Sequence, residues 1–491
     1  MPLYKNKYLV FTGAAMFMVF AVLLAVRLGI FQKTLHGHSL TAQTDVLSGK
    51  DTWMNIFQNE HKIGYSHSII SLQDNGYKIE EYVFMKINTM GLMHDIYVKT
   101  LGNLNPDFTL QEFDFKINSG RFDFAAKGEM KQDILSIQTQ SFGDIRKIGM
   151  PVKSKPYLMA GLINAAFASG LKEGEIFTFD IFDPASMSHV PVLLKIDRRE
   201  EIQTGEIKQS AIKTFLSFKG TTQTLWVSDE GEVIKEKGVL GISLEKTTKD
   251  DALNGMPVQA SDDLTRLVSI PSNITISNPE KLTFLKIRIS GINPDPLKIN
   301  DDRQIFKDGI LYINKESIDN LFRQHTSYKP DIASYYFLKP SPFIQSDNRD
   351  IENIVKKTVN PDDPPIIKAK KLLNWINSNI EKRPVISLPD AVSTLKNKAG
   401  DCNEHAVLMA ALSRAAGIPA RVEAGLVYLN GSFYYHAWNS LYFGRWVAID
   451  PLFGQIPADA THIRFSSGGP KEQLDILSIL GKIKIKVIEF K

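Results

Sequence analysis

The sequence predicts an α+β chain in three parts: an N-terminal transmembrane helix, a large antiparallel β-rich domain, and a C-terminal α+β core. Three observations carry that prediction. One uncharged apolar run, Tyr8–Val26, stands near the start. Residues 51–255 then alternate apolar and polar side chains in short runs separated by Gly, Asn and Asp, the period of half-buried strands. Beyond residue 336 the apolar spacing turns helical, then strand-like again.

The apolar run resumes after Arg27 as Leu28–Phe31. At about 1.5 Å per residue, some 20 residues cross a ~30 Å hydrocarbon core. The short leading segment, with Lys5 and Lys7, reads as a signal anchor over 1–31, with the N-terminus inside and everything after Phe31 translocated. A cleaved signal peptide is the competing reading, but no small-x-small site precedes Arg27. Residues 32–50 are polar and read as a linker.

At 491 residues, with 43% apolar and 23% charged side chains, the chain is an ordinary globular sequence, neither disordered nor collagen-like. Its 58 Lys+Arg against 54 Asp+Glu leave a net charge of +4, which does not point to nucleic acid. Within the β-rich domain, Tyr157–Ala168 reads as one interrupting helix. Residues 256–335 look like a small β module or connector, with KLTFLKIRISG and ILYIN as strands. The core spans 336–466, with helices at Arg349–Thr358, Ile366–Asn379 and Cys402–Ala416. Residues 467–491 form a helix/strand tail whose Lys482–Val487 alternation suits an edge strand defended by lysines.

Cys402 is the chain's one cysteine, so an intramolecular disulfide framework and any multi-cysteine metal site are excluded. It lies in Ala399-Gly-Asp-Cys-Asn-Glu-His405, where Asp401 is an N-cap and Glu404 completes a capping box. Gly417 and Pro419 close the helix. A cysteine in a helix's first turn meets free N–H groups and the positive end of the dipole, which favour a thiolate. Asp401 and Glu404 oppose that, so an imidazolium is required, and alkylation of Cys402 at mildly acidic pH is the expected sign of catalysis.

His436 is the imidazole that the hairpins offer. Asn430-Gly431 is a two-residue turn between Arg421–Leu429 and the strand that carries His436. If Tyr442-Phe443-Gly444 forms the next loop, Leu441 pairs with Arg445 and His436 stands directly opposite Asp450. That places a carboxylate, an imidazole and a helix-terminal thiol in the arrangement used for covalent acyl transfer.

Gly400-Asp-Cys-Asn-Glu-His405, Arg414-Ala-Ala-Gly-Ile-Pro-Ala-Arg421, His436-Ala-Trp438 and Trp446-Val-Ala-Ile-Asp-Pro451 together resemble the core of the transglutaminase-like superfamily. Phe453-Gly-Gln-Ile-Pro-Ala-Asp-Ala-Thr-His-Ile463 is similar to a stretch in bacterial members of unassigned substrate. Leu452 departs from the Thr expected there, and Gly64-Tyr65-Ser66 resembles domains that precede such cores. The resemblance implies a papain-like α+β fold, Cys402 as nucleophile, His436 as general base and acid, and Asp450 as orienter. Taken with the anchor, the expectation is a bacterial inner-membrane protein, single-pass through residues 8–30, with its bulk periplasmic and a polypeptide substrate.

The expected activity is hydrolysis of a peptide or side-chain amide through a Cys402 thioester. Cross-linking to amines is one alternative; a non-catalytic binding or assembly protein working through its β-rich domain is another. No cofactor is expected. Cys402, His405 and His436 could be imagined around zinc, but a histidine one turn along the helix reads better as a packed neighbour, and no metal is expected.

Overall fold

The computed structural model describes residues 49–204, 207–255, 262–294, 297, 299–319 and 332–491. The expected anchor and all but the last two residues of the linker lie outside these residues. Among the described residues, no helix is long and apolar enough to cross a membrane. The chain divides into two compact units, one ending at Asp263 and the other running from Leu264 to Lys491.

The first unit is one 14-stranded antiparallel sheet. Its first eight strands, Lys50–Gln58 through Asp144–Pro151, each pair with the next in sequence. Six more, Ile176–Asp183 through Ile242–Thr247, do the same. The two runs join where the first strand meets the last, Trp53 opposite Thr247. Period-two alternation is visible in burial: along Phe122–Lys131, Phe122, Phe124 and Ala126 are buried while Asp123 and Lys127 are exposed. The interrupting helix is shorter than predicted, a 3-10 turn at Met159–Gly161 leading into Leu162–Ala168. Its Leu162, Ala165 and Ala166 are buried, as are Phe113 and Phe182, whose rings lie 5.1 Å apart.

Among the described residues, the second unit joins helices to two larger sheets and a parallel two-stranded pair, Glu381–Lys382 with Ala399–Gly400. In the larger sheet, Ser432–Tyr442 is flanked by Ile270–Pro271 and Ala420–Leu429, with Trp446–Ile449 also paired to it and Ile463–Gly468 beyond. The smaller sheet orders Gln304–Lys307, Ile310–Asn314, Phe284–Ser290 and Lys484–Phe490. The C-terminal residues therefore complete a sheet with the module read as 256–335, and Lys484 and Lys486 face solvent on an edge strand as expected. The longer helices of the unit are Arg349–Thr358, Pro365–Asn379, Ala391–Asn397 and Cys402–Ala415.

Cys402–Ala415 is the central helix, and every residue from Cys402 to Ser413 is buried. Its apolar content permits that burial, and Asn439 ties it to the sheet by donating from Nδ2 to the Ala406 carbonyl at 2.9 Å. The start is fixed by a complete capping box. Asn403 N–H donates to Asp401 Oδ1 at 2.9 Å, and Asp401 N–H donates to Glu404 Oε2 at 3.0 Å. The hairpin turn is as predicted, with Asn430 and Gly431 at φ of 45° and 89° and Leu429 opposite Ser432.

Candidate active site

Cys402 is the first residue of the central helix and is fully buried. The backbone N–H of Ala437, on the neighbouring strand, donates to its sulfur. Burial pushes the Cys402 thiol well up, and the Asp401, Glu404 and Asp450 charges add to that. That direction runs against the thiolate expected at mildly acidic pH. Asp401 is itself raised, by burial first and then by Glu404.

His436 is buried on Ser432–Tyr442, opposite Gly425 of the next strand. Its Nε2 lies 2.7 Å from Asp450 Oδ2. Two rings run nearly parallel to the imidazole, Phe453 with centroids 4.9 Å away and Trp438 at 6.1 Å. With Nε2 engaged by the carboxylate, Nδ1 is the nitrogen that would take a thiol proton.

The pairing differs from the one expected. Tyr442 stands opposite Trp446 and Asn439 opposite Ile449, so the hairpin is displaced by two residues and Asp450 does not face His436 directly. Gly444, at φ of 88°, takes the second loop position instead of the third. Because successive side chains alternate faces, a two-residue displacement keeps both residues on one face. Asp450 Oδ1 accepts from Leu452 N–H at 2.7 Å and Phe453 N–H at 2.9 Å, which fixes the carboxylate.

A second imidazole reaches the same oxygen. His462 Nε2 lies 2.9 Å from Asp450 Oδ2, and Asp459 Oδ1 lies 3.3 Å from His462 Nδ1. Burial alone would raise the Asp450 carboxyl, yet the His436 and His462 imidazoles hold it well below the usual carboxylate range. Burial alone would lower His462, but Asp459 and Asp450 carry it up to about 9. Asp459 is brought down to about 2 against its own burial, chiefly by His462.

His405 is not part of this cluster. Its Nδ1 donates to the Asp401 carbonyl at 2.7 Å, burial takes its pKa down to about 4, and it is neutral. Among the described residues, the histidine and carboxylate atoms that converge belong to His436, Asp450 and His462, all within 4.8 Å. Cys402 and His405 are outside that set, and the contacts within it are hydrogen bonds.

Lys382 was also missed. It pairs with Gly400, two residues before Cys402, and burial lowers its ammonium against the pull of Asp450. The signal for His462 was its Asp-x-x-His spacing from Asp459 in the quoted Phe453–Ile463 stretch.

Residues 352–451 match the model of the Transglutaminase-like superfamily. The second unit holds a transglutaminase-like core. The matched segment includes Cys402, His436 and Asp450 and stops short of Asp459 and His462. No curated protein matches the chain. Among solved structures, a candidate cysteine protease from Cytophaga hutchinsonii is 18% identical over 43% of this chain and 87% of that one, with a TM-score of 0.27. The periplasmic domain of TgpA from Pseudomonas aeruginosa, bound to ethylmercury, is 16% identical over 39% and 93%, with a TM-score of 0.25. A β-barrel-like protein from Brucella abortus, of a domain family of unknown function, is 8% identical over 40% and 94%, with a TM-score of 0.30. With TM-scores this low, the chemistry of the transglutaminase-like core rests on its own geometry.

Proposed function

We propose that this chain is a membrane-anchored, extracytoplasmic thiol enzyme that hydrolyses a peptide or side-chain amide. As Cys402 Sγ bonds to the amide carbonyl, its proton passes to His436 Nδ1. The C–N bond then breaks, and His436 returns the proton to the leaving amine. Water attacks the resulting thioester with His436 again as base, releasing an acid and restoring the thiol. Asp450 keeps the imidazole in one tautomer and supports its charge.

The observation that carries this reading is the 2.7 Å contact of His436 Nε2 with Asp450 Oδ2, on the strand whose next residue, Ala437, donates its N–H to the Cys402 sulfur. Water is the favoured acceptor because an aqueous compartment supplies it in bulk. An amine in its place makes the enzyme a transglutaminase.

The test incubates the full-length protein and its Cys402→Ala variant with an extracytoplasmic extract and a tagged primary amine, followed by mass spectrometry. Cleavages that depend on Cys402 support hydrolysis. Amine adducts that exceed them overturn it in favour of cross-linking. Identical profiles would discard the enzyme reading and leave the β-rich unit as the working part.

A further inference from the structure

We infer that Asp459 and His462 form a second dyad that shares the Asp450 carboxylate with His436, so that Cys402 rests as a thiol and gives up its proton only as it attacks. This deepens the acyl transfer proposed above and rests on it. Asp450 Oδ2 meets His436 Nε2 at 2.7 Å and His462 Nε2 at 2.9 Å, and all three residues are fully buried. One carboxylate oxygen therefore serves two imidazoles.

The second imidazole is firmly held. Asp459 Oδ1 accepts from the Thr461 N–H at 2.8 Å and from its hydroxyl at 2.6 Å, and Gln455 Nε2 donates to Asp459 Oδ2 at 2.8 Å. Arg303 donates to the Asp459 and Ala458 carbonyls. Gln304 exchanges hydrogen bonds with Arg464, two residues on, at 2.8 and 3.0 Å.

The electrostatics follow. His462 faces Asp459 and Asp450, with the His436 ring 5.7 Å away; Lys382 acts on Asp450 from the Glu381–Lys382 strand. With a pKa carried up to about 9, His462 is cationic at neutral pH and answers the Asp450 charge. A proton on His436 then faces a second cation across a carboxylate already matched. The charges that act on the Cys402 sulfur are those of Asp401, Glu404 and Asp450, and with burial they favour the thiol. The resting thiolate–imidazolium pair is thereby disfavoured, and the proton moves as the sulfur bonds to carbon. His462 is a positioning residue, not one that touches substrate.

The test compares full-length wild type with His462→Gln and Asp459→Asn. Iodoacetamide alkylation of Cys402 is followed from pH 5 to 10, alongside turnover of p-nitrophenyl acetate. Removing the cation should leave the Asp450 charge to His436. Alkylation at pH 6.5 is then expected to be about tenfold faster in His462→Gln, although turnover falls by about tenfold. Asp459→Asn should move both in the same directions by less, and it stands in where His462→Gln does not fold. Imidazole NMR of the wild type should keep His462 protonated up to about pH 9. Alkylation unchanged or slowed at pH 6.5 in a folded variant, or a His462 that titrates near 6.5, overturns the dyad. Absence of Cys402-dependent turnover in wild type defeats the acyl-transfer reading instead, and the alkylation and NMR results stand apart from it.

Discussion

Asp450 Oδ2 lies 2.7 Å from His436 Nε2 although the two residues are not opposite each other in their hairpin. Continuing the register beyond Asn439 and Ile449 sets Asp450 against Trp438. The carboxylate reaches His436 from a neighbouring position on the same face and is locked by the Leu452 and Phe453 amides. The orienting function thus depends on sheet alternation and a backbone nest more than on direct pairing.

Asp450→Asn retains an oxygen for those amides but removes the charge and offers a donor where an acceptor is needed. Turnover should fall by about 10²–10⁴, as when an orienting carboxylate is neutralised in comparable triads. Steady-state kcat with circular dichroism as a folding control reads this.

The two buried histidines load stability from opposite sides of pH 6.5. The folded-state pKa of His462 is carried from 6.5 up to about 9, so its contribution is full below 6.5 and is lost as pH rises toward 9. His405 is taken from 6.5 down to about 4, so its contribution is full above 6.5 and is lost as pH falls toward 4. Asp459, brought from 3.8 to about 2, adds a further loss below pH 4. Each histidine limb is worth about 3 kcal/mol. Thermal unfolding across pH should show both limbs, with His462→Asn flattening the alkaline one and His405→Asn the acid one.

Gly425→Ala should be among the most damaging small substitutions in the core. Gly425 lies between His436 on one strand and Arg464 on the other, and an added Cβ would stand 1.8 Å from the Ile463 carbonyl oxygen. The strand after His462 has to retreat, so a loss of about 3 kcal/mol is expected. Urea unfolding measures it.

Glu404→Ala deprives the Asp401 N–H and the Ser387 hydroxyl of their acceptor in a buried site. The expected cost is about 2 kcal/mol, and Glu404→Gln should recover most of it. Denaturant midpoints separate the two.

What was legible in the sequence was local. The capping box around Cys402, the closing Gly417 and the Asn430-Gly431 turn act through neighbours in the chain, and the structure places each as read. Alternation put His436 and Asp450 on one face even though the register was off by two. The displacement came from Gly444, whose left-handed backbone suits more than one loop position. His462 was hidden because its strand reaches the site through a distant pairing, Leu426 with Ile463, interrupted by a bulge between Ala424 and Gly425. The joining of Phe284–Ser290 to Lys484–Phe490 is equally non-local, and no turn residue announces it.

The most direct test of the central claim is active-site titration of the full-length protein with p-nitrophenyl acetate, read by the burst of nitrophenolate and by intact mass. The account predicts one acetyl group per chain, mapped to Cys402, absent in Cys402→Ala and formed far more slowly in His436→Ala. A burst that survives Cys402→Ala, or a folded wild type that never acquires the acetyl group, would contradict it.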